Sequence, residues 1–359
     1  MLNRSIKFLL TVLALALLPV GSAAAAGPSG AVVFSRAITT TEETATGPVE
    51  NTEGGLYAAK GGHLNHLTEN PADSQPDFSA DGRWIAFVRA GDVWAMRADG
   101  TGQHPLTSGP EVDAHPQFAP NGRYVLFERH AAGAERPRDL YTVQLSGEGL
   151  HVLVDFVEDL HEATFSPDGK LIAFVRSMPR HDSGYNDDIY TVRPSGLGLK
   201  RTTLTYRYDE FSPRFFKGGI VFSRGESEPG PAAYADVFTV RLDTTKLRPL
   251  VHGAGSAFVE DVASNGKTVL FRRDQGLWVK GIGRGRARKL SEVADGSKTN
   301  AVFSSDGRRV AAFIASNGVE SLSAIDVASG RSTDLAESYS FDDEGSTIGP
   351  VMAWQPVRR

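Results

Sequence analysis

The chain has 359 residues, 40% of them hydrophobic and 23% charged, with a formal net charge of −5. That composition belongs to a globular protein with a sizeable core, and a mildly acidic chain without a basic tract is a poor match for nucleic acid or an anionic membrane. There is no cysteine, which excludes disulfides, thiolate metal sites and a thiol nucleophile and leaves packing alone to hold the fold.

In chain order, residues 1–26 read as a secretory signal peptide. Arg4 and Lys7 precede an apolar run over residues 8–20, and small residues follow as far as Ala26. The run is short for a bilayer span, and without a cysteine at the cleavage point no lipid anchor is expected. Residues 27–359 then form a single domain, located in the periplasm or the extracellular medium. Its first stretch, residues 31–68, holds three strand-like runs, "AVVFS", "GLYAAK" and "HLNHLT". Between the first two, the Thr/Glu-rich residues 38–55 read as a mobile loop.

From Asp73 onward one hairpin recurs. "FSADGRWIAFV" starts at Phe78, "FAPNGRYVLFE" at Phe118, "FSPDGKLIAFV" at Phe165 and "FSSDGRRVAAF" at Phe303. With the residue before the turn as marker, the series runs Phe78, Phe118, Phe165, Phe215, Val262, Phe303 and Trp354, spaced by 40 to 51 residues. That period suits a propeller blade. Each unit reads as four strands. The first ends at the marker and turns at Asp-Gly or Asn-Gly, where glycine supplies positive φ. The second is an apolar run fit for burial on both faces. The third resembles "DVWAM" or "DIYTV", and the fourth is short and outermost. Six complete units run from Asp73 to Leu335. The N-terminal runs lack a first strand, and "PVMAWQP" near the C-terminus is a first strand without partners. A four-stranded sheet cannot cover its own faces, so copies must stack. The expectation is all-β: a seven-bladed β-propeller of four-stranded antiparallel blades, its last blade shared by the two chain ends. A six-bladed ring with loosely attached ends is the alternative.

These repeats carry a family likeness. "PDFSADGRWIAFVRAGDVWAMRADGTGQHPLT" and "ATFSPDGKLIAFVR…DDIYTVRPSG" resemble the TolB-type, WD-like propeller repeat, and the likeness extends over essentially the whole of residues 27–359. It implies a scaffold of cell-envelope complexes, or, in other relatives, a propeller joined to a peptidase or acting as a lyase. A TolB protein is expected to have an α/β domain before six blades. No room for such a domain is expected before Ala31, and one more blade is expected than in TolB, so the Tol role is not expected to carry over.

In such a blade, the two-to-three and four-to-one loops lie on one rim and the Asp-Gly turns on the other. The long connections are nearly all two-to-three loops, which assigns binding to that rim. The four-to-one loops are expected to bring Asp73, Asp113 with His115, Asp159 with His161 and Glu162, Asp209 with Glu210, and Glu260 with Asp261 to the channel mouth as an acidic ring. Such a ring suits a basic peptide or a divalent cation, with His115 and His161 the candidate metal ligands. The alternative is that the repeated Asp is a capping residue of the repeat. His63, His66, His104, His151 and His252 fall in or beside outer strands, His130 and His181 in loops, and Trp84, Trp94, Trp278 and Trp354 at positions of inter-blade core. No nucleophile elbow, zinc-protease helix motif or phosphate loop is present. The expected function is therefore an exported, non-enzymatic scaffold. It acts as a monomer and binds a protein or peptide of the cell envelope. It needs no cofactor beyond a divalent cation in the channel, binds no nucleic acid and does not span a membrane after signal cleavage. The alternative is a lyase or hydrolase acting on an envelope or extracellular polymer in the channel mouth.

Overall fold

The computed structural model describes residues 30–44, 47–134, 137–156, 158–179, 184–226, 234–244, 246–253, 255–283, 285–293, 301–316, 319–336 and 346–356. The signal-like residues 1–26 and His181 lie outside the described residues. The rest is all-β, in seven four-stranded antiparallel sheets. Numbered from Asp73, the innermost strands of blades 1 to 6 are Asp73–Phe78, Val112–Phe118, Leu160–Phe165, Tyr208–Phe216, Ala257–Val262 and Val302–Phe303. Blade 7 joins Ser346–Trp354 to Val32–Thr44, Gly47–Lys60 and His63–His66. Inner strands of successive blades meet in order, blades 2 and 3 through the Phe165 amide and Gln117, and Ser346–Trp354 touches both blade 6 and blade 1, so the ring closes. The seven-blade expectation holds.

Burial explains the closure. Seven apolar clusters lie one at each interface between neighbours. Between blades 7 and 1, for example, Val33 and Leu56 meet Phe78, Ile85, Phe87 and Met96. Between blades 6 and 7, Phe313 and Leu322 meet Phe34, Met352 and Trp354. The second strands are buried on both faces, as their unbroken apolar runs require. At the closing strand Val32 stands opposite Trp354, and the Gln355 amide donates to the Ala31 carbonyl at 2.8 Å.

The turns after the first strands follow from their chemistry. Gly82, Gly122, Gly169, Gly266 and Gly307 all have φ between 63° and 67°. In blade 1 the Ser79 hydroxyl donates to Asp81 Oδ1 at 2.7 Å, and the same carboxylate oxygen accepts from the Arg83 amide at 3.0 Å. Ser166 with Asp168 and Ser304 with Asp306 repeat the arrangement. The side chains thus satisfy the amides that the reversal frees.

Two expectations change. Residues 38–44 and 47–55 are not a loop. They continue strands two and three of blade 7 as an antiparallel ribbon, in register from Val32 opposite Ala59 out to Thr44 opposite Gly47. The threonines responsible for the loop reading are β-branched and pair well across strands, as Thr39 and Thr52 do through their hydroxyls at 3.0 Å. Gly54 and Gly55 mark the root of this arm, because a Cβ at Gly55 would lie 1.9 Å from the Thr68 carbonyl oxygen. Secondly, Asp73, Asp113, Asp209, Glu210, Glu260 and Asp261 lie within inner strands rather than in the loops before them, and of the ring only Asp159 stays outside a strand.

Candidate functional site

The two rims differ as the sequence implies. One carries the tight turns. The other carries the four-to-one connections and the long two-to-three ones, including the arm of blade 7. The expected acidic groups lie toward this second rim, but most of them are neutralised. In blade 1, Arg89 donates to Asp73 through Nε at 2.6 Å and Nη2 at 2.7 Å. In blade 2, Arg129 grips Asp113 the same way, at 2.6 and 2.8 Å, and the Thr107 hydroxyl donates to the same carboxylate at 2.6 Å. In blade 4, Arg224 donates to Glu210 Oε1 from Nε and Nη2, while Thr203 and Thr205 supply hydroxyl donors. Asp73, Asp113 and Glu210 are all buried. Each faces its arginine directly across the first two strands of its blade. Blades 1, 2 and 4 thus each carry an internal latch that joins the first strand to the second. Burial raises the Glu210 carboxyl to about 7 against the pull of Arg224.

The arginines of these latches are residues that the sequence reading missed, although a signal for them exists. They end a repeated Phe-x-Arg: Phe87–Arg89, Phe127–Arg129, Phe174–Arg176, Phe222–Arg224, Phe271–Arg273 and Phe34–Arg36. The guanidinium lies over the phenylalanine of its own strand and over an aromatic of strand three. Arg89 is 4.7 Å from Trp94, Arg129 5.1 Å from Tyr141 and Arg224 4.5 Å from Phe238. Blades 3 and 5 vary the pattern. Leu160 replaces the acid in blade 3, and Arg176 turns to Glu158 at 2.7 Å. Ala257 replaces it in blade 5, where Arg273 Nε and Nη2 are buried without a hydrogen-bond partner. Nearby, Glu260 lies 3.6 Å from Arg272 and accepts from the Ala301 amide. Burial lifts its carboxyl to about 7.

The inner strands are stitched to one another around the channel. Asp77 Oδ2 accepts from the Phe118 amide at 2.7 Å, Gln117 Oε1 from Phe165 at 2.9 Å, and Asp261 Oδ2 from Phe303 at 2.8 Å. Burial raises Asp77 to about 7 and pushes Asp261 up as well. One step closer to the loop-rich rim, the inner strands of blades 1 to 4 bulge. Gln75, His115, Glu162 and Ser212 adopt φ of 52° to 55°, which is uncommon for residues with a Cβ. The bulge frees an amide that the neighbouring blade satisfies: His115 N–H donates to Gln75, and Ser212 N–H to Glu162.

Between blades 2 and 4 the polar groups merge into one network. His115 Nδ1 is 3.2 Å from Glu128 Oε2, which also accepts from Arg138 Nη1 at 3.2 Å. Arg138 in turn holds Asp159 through Nε at 3.0 Å and Nη2 at 2.9 Å. Burial opposes charge on Glu128, but its contacts with His115 and Arg138 outweigh that and hold its carboxyl low. His115 is half-exposed. Desolvation pulls its pKa down, and Glu128 more than compensates, so it is raised. Further on, His161 Nε2 lies 3.5 Å from the Ser177 hydroxyl and 3.8 Å from Asp187. The Asp187 amide donates to Asp209 at 3.1 Å. Of the residues expected from sequence, His115, Asp159, His161 and Asp209 therefore share one network, while Asp73, Asp113 and Glu210 sit in separate latches and Glu260 and Asp261 lie apart in blade 5.

The chemistry of the network is that of a rigid polar surface. Ser177, His161 and Asp187 have the residue types of a hydrolytic triad but not its geometry. The hydroxyl donates to Asp187 at 2.6 Å, so histidine is not placed to take its proton, and both partners face the same ring nitrogen. Among the described residues no three His, Asp or Glu side chains converge as a metal ion needs. His115 and His161 face carboxylates that arginine or serine already engages. These positions do not fit a metal.

No family model matches the chain. A curated relative, the uncharacterized protein Atu1656 of Agrobacterium fabrum, is 39% identical over 70 residues, and the match spans 18% of this chain and 24% of that protein's length. Solved structures are similar over far more of it. An oligogalacturonate lyase in complex with manganese gives a TM-score of 0.62 at 12% identity, covering 82% of this chain and 96% of its own. TolB from Acinetobacter baumannii gives 0.54 at 15% identity, covering 89% and 82%. The propeller domain of the Trilobed protease from Pyrococcus furiosus gives 0.56 at 11% identity, covering 88% and 98%, with an open velcro topology where this ring is closed. The fold is thus a TolB-like β-propeller. TolB and a lyase both stand among its neighbours.

Proposed function

We propose that the chain is an exported, non-enzymatic propeller that binds a protein or peptide on its loop-rich rim and channel mouth. The observation that carries this reading is the contrast between the rims. One is made of tight, self-satisfied turns, while the other bears the long connections and a network in which His115, Glu128, Arg138 and Asp159 fix one another. Groups so paired make a preformed surface, and a preformed surface lowers the ordering cost of binding. They make a poor proton-transfer site, because no base there is poised beside an unengaged nucleophile. The mouth also suits the uronate chemistry of the lyase neighbour poorly, since Arg89, Arg129, Arg138 and Arg224 are spent on internal carboxylates. Export rests on the pattern of residues 1–26.

The test is affinity capture from cell-envelope fractions after cross-linking, with the partner identified and then titrated in purified form. Arg138→Met and Asp209→Ala should weaken that partner at least tenfold, while Asp168→Asn on the turn rim leaves it unchanged. Equal loss from both rims, or turnover of a polyuronate by the purified protein, would overturn the reading. Mass spectrometry of the exported chain should find its N-terminus at Gly27.

A further inference from the structure

Resting on that reading of the loop-rich rim, we propose that its partner is a basic, extended peptide segment. The segment is anchored on a tyrosine patch at the boundary of blades 3 and 4 and laid across the channel toward the acidic arm of blade 7. Tyr185, Tyr206, Tyr208 and Tyr234 are the exposed tyrosines among the described residues, at 61%, 71%, 39% and 53%. The remaining described tyrosines are packed or half-buried at strand positions. All four exposed ones fall on one rim in one sector. Tyr185 opens strand three of blade 3, Tyr206 lies in the connection between the blades, Tyr208 opens blade 4, and Tyr234 lies just before that blade's third strand. Leu204, 60% exposed, shares the connection with Tyr206. Exposed aromatics gathered in this way mark contact surfaces, and tyrosine is a frequent binding anchor.

The patch is held in shape from below. Tyr208 lies 5.5 Å from the Arg224 guanidinium, which the Glu210 latch fixes. The connection is tied at Thr205, whose amide donates to Asp188 and whose hydroxyl donates to Glu210. Tyr208 faces Glu226 across the hairpin, and the Asp187 amide binds Asp209, so carboxylates border the rings.

Ring geometry supplies the second half. In a closed ring of seven, the boundary of blades 3 and 4 lies diametrically opposite the middle of blade 7. That blade's arm rises on the same rim, carries Glu42, Glu43, Glu50 and Glu53, and has no lysine or arginine between Ala37 and Ala59. Among the described residues the closing strand pairs with it out to Ile38 opposite Ser346, and strand four out to Tyr57 opposite His66. An acidic arm repels another copy of itself and attracts a basic extended chain. Aromatic faces beside carboxylates likewise attract Arg and Lys through cation–π and charge together. Arg207 is the one cation in the tyrosine-bearing connection.

The experiment uses the full-length protein without residues 1–26 and fluorescein-labelled twelve-residue peptides that alternate Gly with Arg, Gln or Glu. The Arg peptide should bind at least tenfold more tightly than the Gln peptide and weaken as salt rises, while the Glu peptide should not bind. Tyr206→Ser with Tyr234→Ser, and separately Glu50→Gln with Glu53→Gln, should each weaken the Arg peptide about tenfold. Leu197→Ser, exposed on the opposite rim, should have no effect, and melting temperatures should stay within about 2 °C for all three because the residues are exposed. No preference for the Arg peptide, full affinity in the tyrosine variant, or tighter binding of a neutral oligosaccharide would overturn the proposal. An unbiased displayed-peptide selection separates the two levels. Binders that need the rim but carry no net positive charge defeat the basic-peptide inference and leave the binding function standing. No binders at all defeat both.

Discussion

Replacing Asp113 by Ala tests whether the latches hold the blades together. The carboxylate is fully enclosed and takes three donors: two from Arg129 at 2.6 and 2.8 Å and one from Thr107 at 2.6 Å. Removing it strands a guanidinium whose side chain is 11% exposed. Breaking one half of a buried pair costs about 3–5 kcal/mol, chiefly because the partner charge remains. A domain of this size loses roughly 2 °C of melting temperature per kcal/mol, so the drop should be about 6–10 °C. The double change Asp113→Leu with Arg129→Met removes both charges and should recover most of the loss. Blade 5 provides the converse. Ala257→Asp places a carboxylate opposite Arg273, whose Nε and Nη2 have no partner, and should add about 1–3 kcal/mol. Differential scanning calorimetry at neutral pH reads all three. The latch argument fails if Asp113→Ala melts within 1 °C of the parent, or if the double variant is no better than the single.

Ring closure and pH give two further expectations. Truncation after residue 345 removes the strand that brings Met352 and Trp354 into the core, and Trp354→Ala alone should cost about 3–5 kcal/mol; an unchanged urea midpoint for Trp354→Ala would refute the closed ring. Asp77, raised from 3.8 to about 7 by burial, holds an extra proton in the folded state between those values. Its stabilising contribution is therefore complete below about pH 4 and lost as pH rises through 7. Asp77→Asn keeps an acceptor for the Phe118 amide, as Gln117 does for Phe165. It should be near neutral at pH 5 and raise the melting temperature at pH 8. Equal destabilisation at both would refute this.

The architecture was legible because its causes are local and repeated. Asp-Gly with its serine, the doubly buried second strand and the unmatched terminal runs each force one step of the ring. The site was legible only in part, because its causes lie between strands. Asp73 and Asp113 recur at the blade period, but what neutralises them is an arginine 16 residues later, and alternation places that arginine opposite only once the strand pairing is known. Glu128 and Arg138 follow no repeat and belong to blade 2 alone, so no periodic signal could mark them. The ribbon at residues 38–44 and 47–55 was misread for a related reason: its composition resembles a loop, and only cross-strand pairing makes it a strand.

That division bears on where function resides. A residue that recurs from blade to blade holds the ring together, as those of the latches and turns do; a residue found in one sector alone has no such duty. Tyr206 and Tyr234 hold nothing in place, yet they stand exposed together with Tyr185 and Leu204 above the one latch, that of Glu210, in which two threonines reinforce the arginine. Stability has been concentrated beneath the exposed rings rather than in them. Departure from the repeat, more than the repeat itself, therefore marks the surface on which a partner is to be sought.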